Sequence, residues 1–152
     1  MRMRGRTVTA AILIVLPVGA LVWARTAWEG RFTAELPSHW QGPGGPDATS
    51  PEEPLYWAML WTSAVSALIA LAGLIRWPLP SAGMRWWVAV FASVAAVTAS
   101  MWIGPAGSTL DLENALEARP GVGVLLTMFC LVYGAIPALV RPPARESVGA
   151  AG

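Results

Sequence analysis

Four long apolar stretches alternate with polar, turn-rich stretches along the chain. They cover residues 7–24, 55–75, 86–103 and 122–140, and none contains a charged side chain. Each has 18 to 21 residues, close to the roughly 20 that a helix needs to cross a hydrocarbon core. The pattern predicts an all-α membrane protein, a bundle of four transmembrane helices with a structured extracytoplasmic loop. Residues 1–152 form a single membrane domain on this reading. Arginines precede the first stretch, as they do in a signal peptide. No small-residue cleavage site of the Ala-x-Ala kind closes it, however, and three equally apolar stretches follow, so it reads as a retained helix.

Within the stretches, Pro17 with Gly19 and Gly134 with Pro137 predict kinks whose freed carbonyls neighbouring helices satisfy. Ser63, Ser66, Ala67 and Ala70, and likewise Ser93, Ala96 and Ser100, recur at helical spacing. They predict small-residue stripes along which backbones approach closely. The middle link, residues 76–85 with Pro78 and Pro80, predicts a tight antiparallel pair of helices.

Charge supplies the orientation. Arg2, Arg4 and Arg6 lead the chain, Arg76 and Arg85 lie in the middle link, and Arg141 and Arg145 face Glu146 in the tail. Residues 25–54 hold five acids and two arginines, and residues 104–120 hold three acids and one arginine. The positive-inside rule then places both termini and the middle link in the cytoplasm, with a disordered tail over residues 141–152. Trp23, Trp57, Trp61 and Trp102 near the outer ends, and Trp77, Trp86 and Trp87 near the inner ends, read as headgroup-level anchors.

Composition agrees: 55% of residues are hydrophobic and 12% charged, with a mean hydropathy of +0.54. Soluble domains carry roughly twice that share of charge. The Lys-free, Arg- and Ala-rich vocabulary points to a GC-rich bacterial genome and a bacterial cell membrane. A net charge of +1 gives no field for nucleic acid. Cys130 stands alone, which excludes an intramolecular disulfide, and reads as a small buried hydrophobe. No ionisable group falls within the apolar stretches, which argues against an independent transporter or channel.

Candidate chemistry concentrates in the first loop, residues 25–54, around Glu35-Leu-Pro37-Ser-His39-Trp40-Gln41-Gly-Pro-Gly44-Gly-Pro46-Asp47. Pro37 sets one backbone angle, and the Gly-Gly-Pro-Asp run is strong turn chemistry, with Gly44 expected at positive φ. The stretch predicts a compact extended-then-turn structure over the membrane face. Glu52 and Glu53 read as a solvated helix start favoured by the helix dipole. In the second loop, Ser108 or Thr109 is expected to cap a short helix with Asp111 in its first turn.

The arrangement Pro-x-His-Trp-x-x-x-Gly-x-Pro-Asp after a first membrane helix resembles the signature of the domain of unknown function 1648 family, a membrane module shared with the SdpI-type toxin-immunity proteins. Pro37, His39, Trp40, Gly44, Pro46 and Asp47 carry the match, and Gln41 stands where the family usually has asparagine. The resemblance covers residues 8 to 75. It implies a shared module of two helices and the loop between them.

His39, the only histidine, invites three readings. It could bind metal with Asp47, Glu35 or a second-loop carboxylate, a weak donor set for zinc. It could sense pH near its ordinary titration range. Or it could brace the loop through backbone carbonyls or Asp47, which is the reading the residues favour. No metal, cofactor or catalytic constellation is therefore expected. The sequence points to a non-enzymatic membrane protein, immunity-like or envelope-regulatory, acting on a peptide or membrane-protein partner through its outer loop. The alternative is an accessory subunit of a membrane transporter or envelope-synthesis complex.

Overall fold

A computed structural model of the chain describes residues 2–41, 44–76, 81–119 and 121–140. The expected disordered tail, and Trp77, Pro78 and Pro80 of the middle link, lie outside the described residues. The elements run α1 (Arg2–Ala27), β1 (Glu35–His39), β2 (Ala48–Pro51), α2 (Glu52–Arg76), α3 (Ala82–Ser108), a single 3₁₀ turn (Ala115–Glu117), α4 (Val122–Tyr133) and α5 (Ala135–Val140).

Four helical spans, of 23, 25, 27 and 18 residues, are long and apolar enough to cross a membrane, with α4 and α5 together making the last. This is the architecture of a multi-pass membrane protein. The helices overrun the apolar stretches because backbone hydrogen bonding continues past the hydrocarbon boundary. α3 begins early, where the Ser81 hydroxyl accepts from the Met84 N–H at 3.1 Å. It also continues through Pro105 to Ser108. α2 starts at Glu52, with Pro54 in its first turn, where a missing N–H costs nothing.

The description all-α needs correcting. β1 and β2 pair antiparallel, with Glu35 opposite Pro51 and Pro37 opposite Thr49. Strands of five and four residues, one of them interrupted by proline, show too little alternation to be read from sequence. The second loop differs too. Ser108 ends α3, and the Thr109 hydroxyl donates back to the Ala106 carbonyl at 3.0 Å, so neither starts a helix. The 3₁₀ turn is instead capped by Asn114, whose side chain accepts from the Leu116 N–H at 2.9 Å.

Two apolar clusters fill the bundle. One joins Ala10 and Ile14 to Ala67, Ala70, Val88, Ala92 and Ala138. The other, at the end where the hairpin and the 3₁₀ turn meet, joins Leu21, Ala24, Leu36, Tyr56, Ala99 and Trp102. We call this the cap end. The small-residue stripes are buried except at Ser93, which is half-buried, and the Ser63 hydroxyl reaches across to the Ala95 carbonyl at 2.8 Å. Large apolar side chains such as Leu68, Leu125, Phe129 and Leu139 point outward, as a lipid solvent permits. Cys130 is buried.

The proline expectation has a specific realisation. α1 is helical through Pro17, which has no N–H to give the carbonyl four residues back, at Leu13. The Tyr133 hydroxyl of α4 donates to that carbonyl at 2.8 Å. Gly134 breaks α4 from α5 because the chain presses on α3 there: a Cβ would sit 1.8 Å from the Ala89 carbonyl oxygen. Replacing Tyr133 with phenylalanine should therefore cost about 1 kcal/mol of stability in detergent. In a Pro17→Ala background, where residue 17 regains its N–H, the same change should cost almost nothing. Equal losses in both backgrounds would show that the hydroxyl does not serve the carbonyl freed by Pro17.

Candidate functional site

The cap is built on the two helix ends that the first loop joins. Arg25 lies in the last turn of α1 and Glu52 in the first turn of α2, so each charge also suits its helix dipole. Arg25 Nε lies 2.8 Å from Glu52 Oε1, with the two side chains 28% and 7% exposed. This is a close charge contact whose N–H is not aligned as a hydrogen bond. The guanidinium also lies over the rings of Phe32, at 5.0 Å, and Tyr56, at 5.4 Å. Both rings meet Trp102 edge-on, at 5.5 and 5.4 Å between centroids. The buried Trp102 indole N–H bears on the Glu52 carboxylate, though short of full hydrogen-bond geometry.

Two sequence expectations fall here. Glu52 is not a solvated helix start but is buried, because it neutralises Arg25; only Glu53 is exposed. Trp102 is not a headgroup anchor but fully buried, because the loop folds back over the end of α3. Trp23, Trp57, Trp61 and Trp86 do stand outward. A signal for the ion pair was present: opposite charges flank consecutive apolar stretches, and the antiparallel pairing of those stretches brings the charges to one level.

The hairpin grows from this base. The Glu52 N–H closes on the Ala34 carbonyl at 3.0 Å, and Leu36 and Pro37 are buried beneath the sheet. The ladder then skips Ser38, a bulge beside the residue that cannot donate. Thr49 donates its hydroxyl to the Glu35 carboxylate. At the tip, the Asp47 N–H donates to the His39 carbonyl at 3.1 Å, and His39 Nδ1 lies 2.8 Å from Asp47 Oδ1. Residual desolvation works to raise the Asp47 pKa. The His39 ring, Asp47's own amide and Gln41 together outweigh it and hold the carboxyl below its ordinary range. The brace read from sequence is thus present as a contact. Among the described residues, no three histidine, cysteine or carboxylate side chains gather as a metal site.

A second tie joins the two loops. Arg31 holds Asp111 bidentately, with Nη2–Oδ2 at 2.6 Å and Nε–Oδ1 at 3.1 Å, and its carbonyl accepts the Asp111 N–H at 2.7 Å. Asp111 adopts φ 61°, a left-handed conformation that aspartate tolerates better than most residues. The guanidinium's hydrogen bond, helped by its charge, holds the Asp111 carboxyl below its ordinary range against a desolvation effect that is weaker than the hydrogen bond but stronger than the charge. The Arg31 pKa rises in return.

The glycine expectation is corrected. Gly44 faces open space, and Gly30, at 74°, is the one positive-φ glycine among the described residues. Its neighbour Gly45 is the constrained one, since a Cβ there would lie 2.3 Å from the Leu116 carbonyl oxygen. Pro46 is buried. Trp40 is half-buried, its indole N–H is buried without a partner among the described residues, and its ring borders a cleft of about 590 Å³. No known protein family, curated protein or solved structure matches this chain.

Gly45→Ala should lower the melting temperature in detergent and expose the hairpin to protease, whereas Gly44→Ala should change neither. Equal tolerance at both positions would refute the docking of the tip on the 3₁₀ turn. Glu52→Ala, which strands the Arg25 charge, should cost about 3 kcal/mol in detergent unfolding. Adding Arg25→Met should restore most of that loss. A double variant as unstable as Glu52→Ala would mean that the ion pair is not what holds the helix ends together.

Proposed function

We propose that this chain is a non-enzymatic multi-pass protein of the bacterial cell membrane that recognises a basic peptide or protein through an extracytoplasmic cap. Its role on this reading is immunity-like or envelope-regulatory, with both termini in the cytoplasm. The observation that carries the reading is the charge left over on a braced surface. The two cap loops hold eight acids against three arginines, and two of those arginines are taken by Glu52 and Asp111. Glu29, Glu35, Glu53, Glu113 and Glu117 are exposed around the hairpin. A fixed anionic face of this kind draws a cationic partner and sets its orientation. The arginine distribution supports the topology, and the resemblance of residues 37–47 to a module of toxin-immunity proteins supports a peptide partner.

Photo-crosslinking in living bacteria, from a reactive residue placed at Ser38 or Glu53, should capture a basic envelope peptide or protein. Reversing Glu53 and Glu113 to lysine should remove the adduct without lowering abundance. Adducts arising only from the membrane faces of α1 or α4, to a larger permease or synthase, would favour the accessory-subunit reading instead. A C-terminal reporter found outside the cell would overturn the topology.

A further inference from the structure

The cleft beside Trp40 lies where the apolar spans end. Its wall runs from the cap-end turns of α3 down to Leu126 and Thr127 of α4, with the hairpin above. The lower part is apolar, lined by Met101, Ile103, Val124 and Leu126. Its floor is a seam where two backbones meet, since a Cβ on Gly123 would sit 2.9 Å from the Gly104 Cα. The upper part carries one exposed donor. The Trp40 ring lines it too, while its indole N–H is buried and has no partner among the described residues. Arg119 is exposed and takes part in none of the ion pairs among the described residues. Among the described residues no carboxylate lines the cleft, although carboxylates crowd the cap around it.

A site with a guanidinium above and hydrocarbon below fits a phosphodiester carrying an acyl chain, because a guanidinium matches phosphate geometry. The surrounding acids then choose among headgroups. A further net negative charge meets exposed Glu113 and Glu117 in the same loop, whereas an ammonium beside the phosphate is attracted to them. We infer that the cleft is a binding site for an aminophospholipid of the phosphatidylethanolamine type, with its phosphate on Arg119 and one acyl chain along Met101 and Val124. A volume of about 590 Å³ falls in the range of small-molecule sites and holds the headgroup and the start of one chain, the rest lying in the bilayer. This site borders the anionic face at Glu113 and Glu117 and does not rest on the partner reading.

Native mass spectrometry of the full chain, delipidated in detergent and titrated with lipids of matched acyl chains, tests it. Phosphatidylethanolamine should bind more tightly than phosphatidylglycerol and raise the melting temperature. Arg119→Gln should weaken that binding about tenfold, the loss expected for one charge-assisted hydrogen bond, and Arg119→Lys should recover part of it. Melting curves without lipid should match wild type, which separates lost binding from lost folding. Equal affinity of wild type and Arg119→Gln would overturn the site, and tighter binding of phosphatidylglycerol would overturn the headgroup assignment. Displacement of the lipid by a basic peptide with no dependence on Arg119 would also refute the inference.

Discussion

The contact between Arg25 and Glu52 sets the geometry of everything above the bundle. The hairpin leaves α1 just beyond the first of these residues and re-enters α2 at the second. Their 2.8 Å contact therefore fixes the separation of the hairpin's two stems. Burial of such a pair is costly unless the charges are compensated, and here compensation comes from several directions. Each charge suits its own helix dipole, the guanidinium lies over two aromatic rings, and Trp102 offers its N–H to the carboxylate. A helix end that might have frayed becomes a rigid platform.

The other ties are of a different kind. The Arg31–Asp111 pair is exposed, and an exposed pair adds little stability. Its use is geometric, since the bidentate grip and the left-handed Asp111 hold the second loop against the first in one register. Elsewhere the backbones themselves do the packing. Gly45 against Leu116, Gly104 against Gly123 and Gly134 against Ala89 are approaches that a side chain would prevent. In lipid, where apolar burial between helices gains little, such close contacts supply the cohesion.

The spans were legible because the bilayer imposes one length and one polarity on every crossing. The small-residue stripes followed from the same logic. The cap resisted reading because its order comes from pairs far apart in sequence: Arg31 with Asp111, Gly45 with Leu116, Phe32 with Trp102. Trp102 and Glu52 each sit at a span boundary, where local pattern suggests exposure, and only the fold of the loop over them reverses it. His39 and Asp47 were visible as a pair because eight residues of turn chemistry bring them back together. Trp40 was read only as part of the loop motif and Arg119 only as a loop charge, since the pattern puts both loops on one side of the membrane without packing one against the other.

The bond from Tyr133 to the Leu13 carbonyl has a consequence for biogenesis. The ribosome delivers α1 to the bilayer before α4. Until α4 arrives, the carbonyl that Pro17 cannot serve lies in hydrocarbon without a donor, an expense of several kcal/mol. A helix that enters the membrane early is thus completed by one that follows it. A chain stalled before α4 carries an open polar group within the bilayer, and only the arrival of the Tyr133 hydroxyl closes it.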